Sequence, residues 1–359
     1  MTITPSTHLV ASPGAILEGW LDERGMSQRE LADRTSRSEK FISQLVNGKA
    51  SLTADTAHAL ELVSGVGAST WLKIEAEYRA SLKHAQAISA ADAADSPVDA
   101  ALVKFLRAHG VVTAARGARG EQTLHVFRFL GVASADGLAH LTRRHAAAFR
   151  TSTAFTPDAI AIEVVIALAH AQAQLLPTAP FDVASLRASI PRLRALTCES
   201  PSDGARAART LLAQAGVALV FLPNIPKAHC NGVTLWEGNR ALVAVTDRCQ
   251  KEDIFWFTLF HEISHVLDGD RDAIYLEGNA AADDKPPAEA RADRFATDTL
   301  IPPDQEHLLS TIRRLDDLSR VAGTLGVSPG VIVGQLHHRG LKPYSWGNAY
   351  VRRVTVEGR

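Results

Sequence analysis

Two histidines and a glutamate stand at a spacing that can bind a metal ion and activate water. They are His261, Glu262 and His265, within the largely apolar run FWFTLFHEISHVL at 255–267. The apolar residues do not alternate as in a strand, so the run predicts a helix. On a helix His261 and His265 share one face and can reach one ion, while Glu262 can approach its water. This HExxH pattern predicts zinc with a carboxylate base, the alternative being a buried helix that carries two histidines by chance.

A third protein ligand is expected from the second helical pattern, EARADRFA at 289–296. Glu289 opens this pattern, and Asp293 lies four residues later on the same helix face. Two histidines and Glu289 would leave a fourth zinc position open, as a catalytic site requires. Asp293 could accept a hydrogen bond from the outer N–H of a ligating histidine. Without the neighbouring HExxH helix, Glu289 would be an ordinary residue of a surface helix.

These two motifs, followed by Leu-Ile-Pro at 300–302, resemble the ImmA/IrrE family of zinc metallopeptidases. The resemblance covers roughly residues 205–340. The usual family pattern is Glu-x-x-Ala-Asn-x-Phe-Ala, and Asp293 here replaces the Asn. The resemblance implies a zincin-like fold, bound Zn²⁺ and cleavage of phage-type repressor proteins.

Composition excludes several classes of protein. The formal charge of −1 on 359 residues implies no bulk attraction to nucleic acid or anionic membrane. The three cysteines cannot all pair and show no CxxC spacing, which is typical of reduced thiols in a cytoplasmic protein. No signal peptide is expected at the N-terminus, and no apolar stretch is long enough to span a membrane. We therefore expect a cytoplasmic protein with no membrane partner.

A second informative region lies at 13–80. Ser27 is a suitable N-cap, with Glu30 three residues later completing a capping box. A tight turn follows, and a second helix begins after Ser38 and is closed by Gly48. Two short helices joined in this way predict a helix-turn-helix, whose second helix would enter a major groove.

This region resembles the repressor-type helix-turn-helix of the XRE family, through Ser27-Gln28-x-x-Leu31-Ala32, Ile42-Ser43 and Asn47-Gly48-Lys49. Pro13-Gly14, Thr56-Ala57, Trp71-Leu72 and Tyr78 resemble its HigA antitoxin branch. From Arg24 to Lys49 six basic residues face three acidic ones, a modest electrostatic footprint for DNA. The alternative is a helix-turn-helix that serves only in dimerisation.

The predicted DNA-binding residues fall into three groups. Gln28 and Lys49 are placed for phosphates. Base edges are expected to be read by Glu39, Lys40, Phe41, Ser43 and Gln44. Ser38 and Asn47 complete the predicted interface.

The predicted fold class is mainly α with a small β-sheet (α+β). Residues 1–85 should form the helix-turn-helix domain, 86–200 a helical linker or middle region, and 201–359 the zincin-like metallopeptidase domain with C-terminal helices. Three strands are predicted, at 216–223, 233–236 and 240–246, and an exposed sheet edge could hold an extended substrate. The stretch 269–288 lacks periodicity and predicts a loop, a helix is predicted at 311–325, and the Ala-rich segment 86–97 is a candidate self-cleavage region.

The sequence therefore predicts a DNA-binding transcriptional regulator that carries a zinc-dependent endopeptidase. Glu262 would be the general base, and the substrate a partner repressor or the protein itself. A homodimer on an inverted repeat of double-stranded DNA is expected. One alternative is a HigA-like antitoxin or transcription factor, with a toxin as partner, whose zinc domain is a sensor or scaffold. Another is a zinc amidase or other hydrolase acting on a small molecule. Tyr275, His229 and Arg291 are candidates for stabilising the oxyanion.

Overall fold

The computed structural model describes residues 10–94, 97–150, 158–278 and 286–355, without the side chains of 147–150, 249 and 278. The chain separates into two units. The first is Met1–Ser96 with Ala114–Leu124, and the second is Pro97–Thr113 with His125–Arg359.

Five helices begin the first unit: α1 (Pro13–Arg24), α2 (Gln28–Arg34), α3 (Glu39–Val46), α4 (Ala54–Ser64) and α5 (Ala68–Ala93). The short helices start where a hydroxyl side chain can accept a backbone N–H. Ser27 accepts from Glu30 N at 3.1 Å, and Ser38 accepts from Phe41 N at 3.2 Å. The apolar faces of these helices meet in one core, whose largest members are Leu17, Leu31, Ile42, Leu45, Leu60 and Trp71.

α5 is longer than the predicted domain boundary allows. It continues to Ala93, so the boundary predicted after residue 85 falls inside a helix. Most of the segment 86–97 is therefore helical rather than an extended linker, although residues 95–96 lie outside the described part. Alanine is the strongest helix former, which explains why the Ala-rich stretch extends α5.

The remaining helices are α6 (Ala100–Ala108), α7 (Arg119–Leu130), α8 (Ala135–Ala148), α9 (Ala159–Ala173), α10 (Val183–Ala195), α11 (Pro201–Gln214), α12 (Glu252–Asp268), α13 (Pro287–Leu300), α14 (Asp317–Leu325) and α15 (Pro329–His338). The strands are β1 (Phe149–Arg150), β2 (Val217–Leu222), β3 (Cys230–Glu237), β4 (Arg240–Thr246) and β5 (Ile274–Gly278). The fold is α+β, as predicted.

The sheet is mixed and has the strand order β1-β5-β3-β4-β2. β2 runs parallel to β4, and β3 is antiparallel to both β4 and β5. The two-residue β1 pairs parallel with the start of β5. β2 and β4 read as nearly continuous apolar runs because both faces of the sheet are covered there.

Two cores flank the sheet. Alternate residues of β2, such as Val217 and Leu219, pack toward α10–α15, whereas Ala218 and Val220 pack toward α6 and α9. Three helices of the predicted middle region, α6, α9 and α10, supply one or other of these cores. The predicted boundary at 200/201 also lies within this unit.

Other predictions also need correction. The predicted loop at 269–288 contains β5, which β3 supports through backbone pairing that periodicity cannot reveal. The helix predicted at 311–325 is shorter in the structure. A 3₁₀ segment (Pro303–Thr311) ends where the predicted helix begins, and α14 starts only at Asp317. Among the described helices, none combines the length and apolar character needed to cross a membrane.

Candidate functional site

The two histidines of α12 converge on one point. α12 is closed by the residue after it, Gly269, which has a φ of 73°. Twelve residues of α12 are buried, so polar side chains among them point into the protein. His261 and His265 lie one turn apart, with their Nε2 atoms 3.1 Å from each other. This is the juxtaposition that the HExxH spacing predicted.

α13 brings Glu289 to the same point. Its Oε2 lies 3.2 Å from His261 Nε2, and its Oε1 lies 3.3 Å from His265 Nε2. One ligand atom from each of the three residues lies within 4.8 Å of the others. Asp293, one turn further along α13, places Oδ1 3.0 Å from His261 Nδ1. An outer carboxylate at this position fixes the orientation of the imidazole.

Glu262 lies beside this cluster, and β3 holds it. Thr234 Oγ1 donates to Glu262 Oε2 at 2.5 Å. The other carboxylate oxygen, Oε1, is buried and has no hydrogen-bond partner within the described residues. A Cβ at Gly232 would lie 2.4 Å from Oε1, so the absence of a side chain at 232 makes room for the carboxylate.

Burial and charge set the protonation of the cluster. Burial opposes ionisation of Glu289, but hydrogen bonds from His261 and His265 hold its pKa at about 2. Burial lowers the pKa of His265. It would also lower the pKa of His261, yet hydrogen bonds to Asp293 and Glu289 raise that pKa well above its ordinary value. Burial raises the pKa of Glu262 well above its ordinary value, as expected for a carboxyl group out of water.

These residues fit a zinc ion. Two imidazole nitrogens and one carboxylate oxygen form a donor set that zinc uses in catalytic sites. The buried Glu262 and Glu289 and the half-buried Asp293 surround two imidazoles, an excess of carboxyl groups that a dication would balance. Both carboxylate oxygens of Glu289 face the imidazole Nε2 atoms, Oε2 toward His261 and Oε1 toward His265, as expected of a carboxylate that shares a metal with them.

The cluster is closed to solvent. His261, Glu262 and His265 are each 0 % exposed, and Glu289 is 5 % exposed. The Tyr275 ring lies flat on His265, with centroids 3.9 Å apart and an interplanar angle of 10°. Phe257 lines a neighbouring cavity of about 500 Å³. Its ring centroid is 6.2 Å from that of His261.

Sequence patterns missed the residues that the sheet contributes. Thr234 and Gly232 face α12, while Val233 and Leu235 face the other core. The sequence shows this alternation of small or polar residues with apolar ones. It does not identify the helix that packs against β3. Glu277 on β5 was also missed, and burial raises its pKa, while Thr258 of α12 hydrogen-bonds to it.

The three oxyanion candidates differ in their positions. Tyr275 lies in the cluster through its contact with His265. Arg291 instead forms an ion pair with Asp268 at 2.9 Å, and His229 Nδ1 lies 3.4 Å from Arg248. Of the three, Tyr275 alone has a described contact with a predicted zinc ligand.

The helix-turn-helix presents only part of the predicted DNA surface. Exposed residues on and beside α3 are Glu39, Lys40, Gln44, Asn47 and Lys49, and Gln28 and Ser43 are half-buried. Ser38 uses its hydroxyl to cap α3, and Asn47 donates to Ser43 O at 2.7 Å. Phe41 is half-buried and packs in part against the helical core. Lys40 and Gln44 are the exposed residues best suited to base edges.

Comparisons with known proteins concern this first unit. The Helix-turn-helix family HTH_3 matches residues 17–71. An uncharacterized HTH-type transcriptional regulator of Escherichia coli, YddM, is 36 % identical over 63 residues, which are 18 % of this chain and 67 % of that regulator. The structure of an addiction module antidote protein of a HigA family from Coxiella burnetii is 25 % identical, covers 25 % of this chain and 100 % of that one, and has a TM-score of 0.22. The chain therefore belongs to the HTH-type transcriptional regulators, with a DNA-binding XRE-type helix-turn-helix in its N-terminal unit.

Proposed function

We propose that this regulator carries a zinc-dependent endopeptidase in its second unit and cleaves a regulatory protein. The observation that supports it is the convergence of His261, His265 and Glu289 beside a buried Glu262. Three zinc ligands leave a position for water, and a purely structural site has no need of an adjacent base.

The chain's own residues would divide the work. His261, His265 and Glu289 would hold a zinc ion, which would lower the pKa of a water and polarise a substrate carbonyl. Thr234 donates to Glu262 Oε2, so Oε1 is the oxygen that would take a proton from water. Glu262 would then give that proton to the leaving amine. Asp293 holds the His261 ring in orientation through Nδ1.

The substrate is a partner repressor or a second copy of this protein. The DNA-binding unit provides a way to reach it, because a protease tethered at a promoter meets a regulator bound there at a high effective concentration. A dimer of this chain on an inverted repeat would place two such units at one site.

A test uses the purified full-length protein and the product of the neighbouring regulator gene. Wild type should cut that product at one position, and a chelator or Glu262→Gln should stop the cut. Glu262→Gln should hold zinc as wild type does, which separates lost chemistry from lost metal. Cutting by Glu262→Gln would show that another group, or another protein, does the cleavage.

A second function is favoured by the closure of the site. Ligands that are 0–5 % exposed would also suit a regulator in which zinc acts as a sensor or scaffold. Such a protein could be a HigA-like antitoxin with a toxin as partner. In that case, Glu262→Gln should leave promoter control unchanged, whereas Glu289→Ala should abolish it.

A further inference from the structure

The cluster of His261, His265, Glu289 and Glu262 is closed to a peptide substrate. A peptide bond must reach Glu262 to be cleaved, yet Glu262 and both histidines are fully buried. The covering element is β5, whose Tyr275 lies against His265 and is itself 4 % exposed.

β5 occupies the place that suits an extended peptide. β3 is the strand that contacts Glu262, through Thr234 and the space at Gly232. β5 pairs antiparallel with this part of β3, with Tyr275 opposite Thr234 and Glu277 opposite Gly232. A peptide that added to the same strand edge by main-chain hydrogen bonds would lie beside the carboxylate base.

The side chains of β5 divide between the two faces of the sheet. Ile274 and Leu276 pack into the core on the α9 side. On the opposite face, Tyr275 stacks on His265 and Glu277 hydrogen-bonds with Thr258 of α12. β5 therefore places two of its own side chains where those of a bound peptide would lie.

We propose that β5 is an internal occupant of the substrate edge and that it must leave β3 before a peptide can bind. This inference rests on the proposed function and adds its regulation. β5 is five residues long, and its outer neighbour β1 pairs with only its first two residues. Its release would be a local opening that breaks the pairing with β3 and exposes the buried Tyr275 and Leu276. The peptide that replaces it carries an aromatic residue at the position of Tyr275, because the flat face of His265 receives a ring there.

The test measures how fast a chelator removes zinc from the full-length protein. Tyr275→Ala should lose zinc about three- to tenfold faster than wild type, the factor expected for loss of one aromatic contact. Tyr275→Phe, which keeps the ring, should match wild type. The control is Tyr344→Ala, which removes an exposed ring that packs on His337 and lines the cavity beside Phe257 but has no described contact with His265. Equal rates for wild type and Tyr275→Ala would overturn the inference.

A second measurement needs no variant. In wild type, the backbone amides of β5 should exchange with deuterium through a local opening, faster than those of β4. Exchange of both strands only through global unfolding would overturn the inference as well.

The outcomes separate this inference from the proposed function. Fast zinc loss in Tyr275→Ala with local exchange of β5, but no cleavage of any regulator, would support the cover and refute the protease. A different result would refute only the role of β5. Wild type would then cleave the regulator, Tyr275→Ala would not change the rate of zinc loss, and β5 would show no local opening.

Discussion

Glu289 is the residue that joins two helices into one metal centre. Its carboxylate spans both histidines of α12, at 3.2 and 3.3 Å, although it belongs to α13. Glu262 lies beside the ligands but is held by Thr234 instead. Under the proposed function the two glutamates would have separable roles, Glu289 in holding the metal and Glu262 in moving a proton.

Zinc content should distinguish those roles. Protein purified without chelator should hold about one zinc per chain, since three ligands make one site. Glu289→Ala and His265→Ala should lose most of it, whereas Glu262→Gln should retain it. Elemental analysis of the folded variants measures this directly. Full retention by Glu289→Ala would remove Glu289 from the ligand set.

Asp293 should act on zinc affinity through His261. Removing an outer carboxylate usually weakens metal affinity about 10- to 100-fold. Asp293→Ala should show a loss of this size in competition with a chromogenic chelator, and Asp293→Asn should show a smaller one because its oxygen can still accept from Nδ1. The half-buried Asp298 on the same helix supplies a control in Asp298→Ala. An Asp293→Ala protein with unchanged affinity would contradict this role.

At the scale of elements, α1 and α3 of the DNA-binding unit are in close contact. A Cβ at Gly14 would lie 2.2 Å from Val46 O and 2.4 Å from Leu45 O. These are backbone atoms, which cannot rotate away. The end of α3 therefore depends on a position without a side chain in α1.

Gly14→Ala should destabilise the first unit by about 1–3 kcal/mol, the usual cost of overpacking. The matched control is Gly19→Ala in the same helix, where an added Cβ meets nothing within 4 Å. That change should stabilise the helix by about 0.5–1 kcal/mol. Denaturant unfolding of both variants would measure the difference, and equal free energies of unfolding would contradict the packing argument.

α3 should read the DNA sequence through Lys40 and Gln44. Substituting Gln44 by Ala should cost about 1–3 kcal/mol on a specific inverted repeat and little on random duplex. Lys40→Ala should also weaken the specific site more. Lys49→Ala should weaken both duplexes alike, and Lys73→Ala on α5 is an exposed control. Equal losses on both duplexes for Gln44→Ala would reduce α3 to a non-specific contact.

Sequence patterns predicted the elements whose signals are local. The spacing of His261 and His265, the serine caps of α2 and α3, and the apolar runs of β2 and β4 depend on neighbouring residues only. β5 could not be found in this way, because it pairs with β3, from which β4 and α12 separate it along the chain. Thr234 could not be assigned for the same reason, since its role depends on which helix packs on β3.

At the scale of the whole molecule, one chain combines an HTH-type DNA-binding unit with a unit in which His261, His265 and Glu289 could hold a metal ion. A protease of this kind needs narrow specificity, and a DNA-reading unit would restrict it to regulators at the same promoter. β5 would add a second restriction, because the site stays closed until the strand leaves.

The most direct test compares cells that carry the wild-type chain with cells that carry Glu262→Gln. Under the condition that changes promoter output in wild type, intact-mass analysis would follow the neighbouring regulator and this protein. If the proposed protease acts, we expect one cut in wild-type cells and no cut in Glu262→Gln cells. In the Glu262→Gln cells the promoter should stay in one state, although zinc and DNA binding are normal. Identical promoter output in both strains, with every candidate substrate intact, would contradict the proposed function.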